Sequence, residues 1–375
     1  MKTVMSDIQK KVQKAIDELV DSGAERGMQV AVYRRGELAV DAVAGIADPA
    51  TGRPVESDTP FYNFSIVKGA AATLAHMFVE RGAFGYDTPL VDLWPEFGAH
   101  GKQKVTVRHV LSHTAGVPGI PLTTTPEDLC DWDKTCAAIA DSELWWEPGT
   151  KIGYHAYTFG YLVGEVIRRA TGKPISQVLL EEVSGPLSVG DELYFGMPGS
   201  EQHRLAVLED AEVADGGAMA AMPPDLPMFK AGPLTVFPTA KLGNRADILA
   251  ADIPAGGKTS ARAIARMYAA LLGEVDGVRL ISPARLREAT AVAMSGTDAI
   301  FGMPTKWGLG YAIGGLGSGS DGSTSVFGVG GAGGSFACGD TASGIAFAVT
   351  KNRLTSDFKV ATHLSRLVTE ALRER

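Results

Sequence analysis

The chain has 375 residues, 45% of them hydrophobic and 21% charged, enough apolar content for two domains or one large discontinuous one. Its net charge of −8 comes without any basic block, which argues against nucleic acid as a partner. No apolar run reaches membrane-spanning length, so no membrane segment is expected.

Cys130, Cys136 and Cys338 are scattered thiols, not a disulfide framework, and suit a reducing cytoplasm. The N-terminal stretch carries charges throughout, with Ile8, Val12, Ala15, Ile16, Leu19 and Val20 at helical spacing. It reads as an amphipathic helix and not as a secretory signal, and the expected location is cytoplasmic.

In chain order, Ser6 is placed to cap that helix and Gly23 to end it. Met28–Tyr33 and Leu38–Ala44 then read as a hairpin around Arg34-Arg35-Gly36-Glu37. Strands joined directly by a hairpin point to an antiparallel sheet, and Asp48–Pro60 reads as a loop. Thr88–Asp252 has few strand-like runs and reads as a mostly helical, loop-rich insertion, with short helices over Val105–Gly116 and Phe159–Gly172. Ser260 can cap a helix through Leu272, and Pro283 can start another. Four short strand-like runs follow (LGYAIGG, TSVFGV, GSFACGD and GIAFAVTKN), and then a C-terminal helix. The two chain ends are therefore expected to share one sheet. The predicted division is a sheet domain from residues 1–64 and 253–375 and a mostly helical domain from 65–252, with the site in the cleft between them.

One stretch stands out chemically. After Phe61-Tyr62-Asn63-Phe64-Ser65 the run GAAATLAHMFV, residues 69–79, is apolar on nearly every face and predicts a buried helix closed by Glu80, Arg81 and Gly82. Between Ser65 and Glu80 the only formally charged side chain is Lys68. Burial favours the neutral form of a lysine. Three residues make about one helical turn, so Ser65, expected in the first turn, shares a face with Lys68. A hydroxyl beside a neutral amine has the makings of an activated nucleophile. The alternative is a structural serine with a snorkelling lysine. Ser-x-x-Lys recurs at Ser356 and Lys359, where an amphipathic helix begins. There Ser356 reads as an N-cap and Lys359 as a solvated charge.

Other patterns carry less. Gly-x-Gly-x-x-Gly occurs at Gly317/Gly319/Gly322 and Gly328/Gly330/Gly333, but both matches run into strand-like sequence instead of opening a helix. Gly256-Gly257-Lys258-Thr259 resembles the end of a phosphate loop, yet Asp252 occupies the first glycine's place. His109 and His113 are four apart without a following Glu or an evident third ligand, and read as structural. No Gly-x-Ser-x-Gly elbow is present. Tyr154, in WEPGTKIGYHA just before the Phe159–Gly172 helix, is a candidate proton shuttle or else a packing residue.

Ser65-x-x-Lys68, LSHTAG at 111–116, WEPGT followed by Tyr154, and the glycine-rich strand at 328–336 occur in one order. Together they resemble the serine β-lactamase and penicillin-binding-protein superfamily, most of all its family VIII carboxylesterases, across nearly the whole chain. The resemblance implies an α+β fold, with an antiparallel sheet flanked by helices beside a mostly helical domain. It implies Ser65 as the acyl-accepting nucleophile, with Lys68 and Tyr154 sharing the base role and Tyr154 protonating the leaving group. The backbone N–H groups of Ser65 and Ala332 would form the oxyanion hole, and no metal or organic cofactor is implied.

Two departures bear on substrate. The superfamily's Tyr-x-Asn is Tyr154-His155-Ala156, and its Lys-Thr-Gly strand motif is Val329-Gly330-Gly331. Both losses remove groups suited to a carboxylate-bearing lactam; an uncharged small-molecule ester needs neither. The reading is a serine hydrolase of carboxylic esters, with Tyr62, His155 and Trp307, together with Trp145 and Trp146, as candidate pocket walls. The rivals are an acyltransferase using the same acyl-enzyme, a non-catalytic penicillin-binding-like protein and a metal hydrolase built on His109 and His113. The natural ester and the oligomeric state stay open.

Overall fold

The computed structural model describes residues 2–211, 223, 225–314 and 323–373. Its longer helices are α1 (Lys2–Asp21), α2 (Lys68–Glu80), α3 (Thr158–Thr171), α4 (Ala261–Leu272) and α5 (Lys359–Arg373). Among the described residues no helix is long and apolar enough to cross a membrane.

The N-terminal hairpin forms where expected. Arg35 and Gly36 both take positive φ, 52° and 84°, and such a two-residue turn matches the twist of its strands. It joins β1 (Gly27–Arg34) to β2 (Glu37–Asp48). The segment read as a loop contains β3 (Arg53–Pro54), which folds back on the end of β2. From the C-terminal part come β4 (Met294–Thr297), β5 (Pro304–Trp307), β6 (Ala312–Ile313), β7 (Val326–Gly330), β8 (Phe336–Asp340) and β9 (Ile345–Lys351). The last four coincide with the four strand-like runs. β4 and β5 escaped notice because their side chains are mostly exposed and lack an alternating apolar pattern.

These nine strands make one sheet in the order β3-β2-β1-β9-β8-β7-β6-β5-β4. Chain start and chain end meet at its centre, with Val30 opposite Val349 and Val32 opposite Phe347. Strand alternation sorts the two faces. Met28, Val30, Val32, Phe347 and Val349 pack under α1 and α5 through Ile8, Val12, Ile16, Leu364 and Val368. Ala31, Ala337, Ala346 and Ala348 face the other way, into the core that contains α4. Their small side chains leave room for that helix.

Helix ends correct two expectations. α1 begins at Lys2, so Ser6 lies inside it and is not its cap. At α5 the Lys359 N–H donates to Asp357 Oδ1 at 3.0 Å, so Asp357 and not Ser356 serves the helix start, while Lys359 is indeed exposed. Ser260 caps α4 and Pro283 starts the helix Pro283–Thr290 as the sequence suggests, with Ser282 as that helix's cap.

The middle of the chain carries α2, α3 and shorter helices such as Val107–Leu111, Trp132–Ala140 and Ile175–Leu179. It leaves and rejoins the sheet region through a small three-stranded sheet of Phe61–Tyr62, Lys258–Thr259 and Leu193–Tyr194. The Gly328/Gly330/Gly333 match begins on β7 and opens no helix, whereas Gly317/Gly319/Gly322 lie outside the described residues. Lys258 is fully buried and donates to the carbonyls of Phe195 (2.6 Å) and Ile248 (3.1 Å), a core role and not a phosphate loop.

Candidate active site

The turn bearing Ser65 is anchored before it begins. The Asn63 N–H donates to the Gly257 carbonyl at 3.0 Å, and its side-chain amide donates to the Thr259 carbonyl at 2.8 Å. Phe64 follows with φ +48°, a left-handed conformation that is strained for a bulky residue. Its ring is held edge-on against Tyr62 at 4.6 Å. Ser65 then lies in a 3-10 turn, Phe64–Val67, and α2 starts only at Lys68. This corrects the expected placement of Ser65 in the first turn of the α-helix. The shared face survives because a 3-10 turn has three residues and aligns side chains three apart. Lys68 Nζ donates to Ser65 Oγ at 2.7 Å.

Lys68 is 1% exposed. Among the described residues no carboxylate lies within ion-pair distance of it, and burial alone lowers its pKa to about 7. Near neutral pH a large share of the amine is therefore free base, the form that can take a proton from Ser65.

Tyr154 closes the group from the other side, its ring centroid 5.0 Å from Lys68 Nζ. Burial pushes its phenol up to about 12, against the opposing effect of hydrogen bonding with Ser65. It is accordingly a phenol and not a phenolate at neutral pH. Its backbone is held at three consecutive N–H groups. Gly153 N–H donates to the His113 carbonyl at 3.0 Å, Tyr154 N–H to Asp298 Oδ2 at 2.9 Å, and His155 N–H to His113 Nδ1 at 3.0 Å.

β7 runs alongside the nucleophile turn. A methyl group on Gly331 would fall 2.1 Å from the Asn63 carbonyl oxygen, so only glycine permits this approach. The peptide joining Gly331 to Ala332 is thereby brought beside the turn that carries Ser65. Val329 is buried, and its Cγ2 would lie 3.7 Å from a methyl on Gly69. Gly330 points to the opposite face, toward Phe358.

A family model described as Beta-lactamase matches residues 12–370. The chain belongs to the beta-lactamase family. It is 34% identical over 354 residues to the esterase/beta-lactamase LipL of Mycobacterium tuberculosis (strain ATCC 25618 / H37Rv), covering 90% of this chain and 79% of LipL. Its fold matches the crystal structure of a family VIII carboxylesterase with TM-score 0.86 at 33% identity over 97% of each chain. A penicillin-binding protein homolog from Caulobacter crescentus gives TM-score 0.86 at 32% identity over 98% of each chain. The protein is thus a hydrolase of the esterase and beta-lactamase kind with the α+β, transpeptidase-like fold.

Within this family fold the structure distributes the remaining candidates unequally. Trp307 lies beside Tyr154, with ring centroids 5.9 Å apart, but is 6% exposed. Tyr62 is placed in the core and not on a pocket wall. It is 3% exposed, with Lys258 Nζ 5.2 Å from its ring centroid. His155 is fully buried and also structural. Its Nδ1 contacts the Gly153 carbonyl at 2.6 Å and so carries the proton, leaving Nε2 to accept the Val117 N–H at 3.3 Å. Trp146 packs over Gly153, whereas Trp145 is 42% exposed. His109 and His113 do not act as a pair: His109 Nδ1 accepts the Thr106 N–H at 3.2 Å as part of a helix cap.

Asp298, Phe301 and the contacts of His113 escaped sequence reasoning. Asp298 Oδ1 accepts the N–H groups of Ile300 and Phe301, at 2.8 and 2.9 Å, which shapes the 298–303 loop. That loop sets the half-exposed Phe301 ring 5.7 Å from Tyr154. An Asp–Ala–Ile–Phe loop has no motif that marks it as a neighbour of residues 152–155. His113 drew attention through the LSHTAG match and its i, i+4 spacing from His109, neither of which marks its contacts with residues 153–155.

Proposed function

We propose that the protein hydrolyses carboxylic esters through an acyl-enzyme on Ser65. The observation that carries this reading is the Lys68 amine, buried without a counter-ion among the described residues, at 2.7 Å from Ser65 Oγ. Neutral Lys68 takes the Oγ proton as Oγ attacks the ester carbonyl carbon. The N–H groups of Ser65 and Ala332 receive the oxyanion. Collapse breaks the bond to the alcohol oxygen, which takes a proton from the Tyr154 hydroxyl, and Lys68 returns its proton to Tyr154. Water then attacks the acyl-enzyme, giving up a proton to the same pair, and the acid departs as Ser65 regains its hydrogen.

Uncharged substrates are favoured because Ala156 and Val329 stand where the superfamily carries an amide and a cation. Any β-lactam hydrolysis would be secondary. Phe301 beside Tyr154 suits a small or medium apolar ester. The relatives called esterase and carboxylesterase lend support from outside this chain.

The test is intact-mass labelling with a serine-directed phosphonate, alongside p-nitrophenyl butyrate turnover, on wild type and Ser65→Ala. One adduct and turnover, both abolished by the substitution, are expected. Labelling that persists in Ser65→Ala would sink the assignment of the nucleophile.

A further inference from the structure

We propose that His113 and Asp298 are positioning residues that hold Tyr154 at the angle from which it donates its proton to the departing alcohol; this rests on the ester-hydrolase reading above. The two residues come from different parts of the chain, and between them they take three successive N–H groups, those of Gly153, Tyr154 and His155. Three fixed peptide groups in a row leave the Tyr154 backbone no local freedom. The direction of its side chain is then set by χ rotation alone.

His113 is shaped for this task. It has φ +57° and is fully buried, a left-handed conformation uncommon outside glycine and a few polar residues. That twist lets one residue offer both its carbonyl and its ring Nδ1 to the Tyr154 segment. Burial, with smaller contributions from His155 and Lys68, holds the imidazole pKa well below its usual value, so the ring is neutral. Since Nδ1 accepts from His155, the proton resides on Nε2, which finds no hydrogen-bond partner among the described residues. The imidazole as a whole is packed among aromatic rings. The His113 ring centroid is 4.9 Å from that of Tyr154, 4.9 Å from Phe159 and 4.2 Å from Trp307. A buried imidazole that leaves one nitrogen unpaired, while spending the other on the residue after Tyr154, is costly unless that placement matters.

Asp298 secures the other side. It is 4% exposed, and its loop is tied to the same segment a second time, by the Ala299 N–H donating to the Ile152 carbonyl at 2.8 Å. The 298–303 loop and the His113 turn thus grip residues 152–155 from two directions.

Proton donation by Tyr154 is needed when the leaving group is a poor one, such as an alkoxide, and little needed for p-nitrophenolate. The test compares kcat/KM, which reports acylation, for ethyl butyrate and p-nitrophenyl butyrate. The proteins are wild type, His113→Gly, His113→Asn and Asp298→Ala. Glycine accepts φ +57° but lacks the ring acceptor, whereas asparagine accepts the same backbone and keeps an acceptor near Nδ1. His113→Gly and Asp298→Ala are expected to shift the ratio of the two kcat/KM values against the ethyl ester on the order of 10- to 100-fold. His113→Asn is expected to restore most of the wild-type ratio.

Loss of both activities in equal proportion, or an unchanged ratio, would overturn the positioning role while leaving the ester reading in place. If His113→Gly does not fold, Asp298→Ala decides by the same ratio. A wild type inert toward both esters would overturn the ester reading and the positioning role with it.

Discussion

Lys68 reaches Ser65 across a single 3-10 turn, its Nζ 2.7 Å from Oγ, and the burial that secures this contact also lowers the lysine pKa to about 7. The base must be unprotonated to act. kcat/KM is therefore expected to rise with pH through about 7 and then level off, since Tyr154 loses its proton only near 12. A pH–rate profile on p-nitrophenyl butyrate checks this. Lys68→Arg, charged at every working pH, should lower kcat/KM by about 10²–10⁴-fold.

Lys258 is a second buried lysine with a pKa lowered to about 7, first by burial. Its folded value lies below its unfolded one, so between the two the unfolded chain binds more protons. This group's contribution to stability is smallest below pH 7 and grows as pH rises from there toward the unfolded pKa. Lys258→Met should flatten the dependence of the urea midpoint on pH between about 7 and about 9. It should also cost about 1–3 kcal/mol for each carbonyl it orphans, those of Phe195 and Ile248.

Gly331→Ala tests the approach of β7 to the nucleophile turn. The added methyl would sit 2.1 Å from the Asn63 carbonyl oxygen, a backbone atom that cannot swing aside as a side chain can. Melting temperature and turnover are expected to fall together, with a stability loss of about 1–3 kcal/mol. Circular dichroism melts and the ester assay read the two effects. Turnover retained at wild-type level would show that Ser65 is insensitive to this contact.

Lys351 Nζ meets Glu25 Oε1 at 2.5 Å, and each side chain is 1% exposed. Removing one partner strands a buried charge, so Lys351→Met should cost about 3–5 kcal/mol. Replacing both, as Glu25→Leu with Lys351→Met, should recover most of that loss in denaturant titrations.

Much of this architecture was open to sequence reading because it depends on local chemistry. The β1–β2 turn follows from Arg35-Gly36, the cap of α4 from Ser260, and the burial of α2 from its continuous apolar run. The spacing of Ser65 and Lys68 was legible for the same reason, since three residues along either kind of helix give one face. Packing across the chain decided the rest. Tyr62 looked like a pocket wall, but the Lys258–Thr259 strand pairs with its own and draws it into the core. His113 and Asp298 are 185 residues apart in sequence, yet both close on Tyr154. No periodicity or motif encodes such a meeting, because hydrogen bonds between distant loops are set by how the sheet and helices bring those loops together.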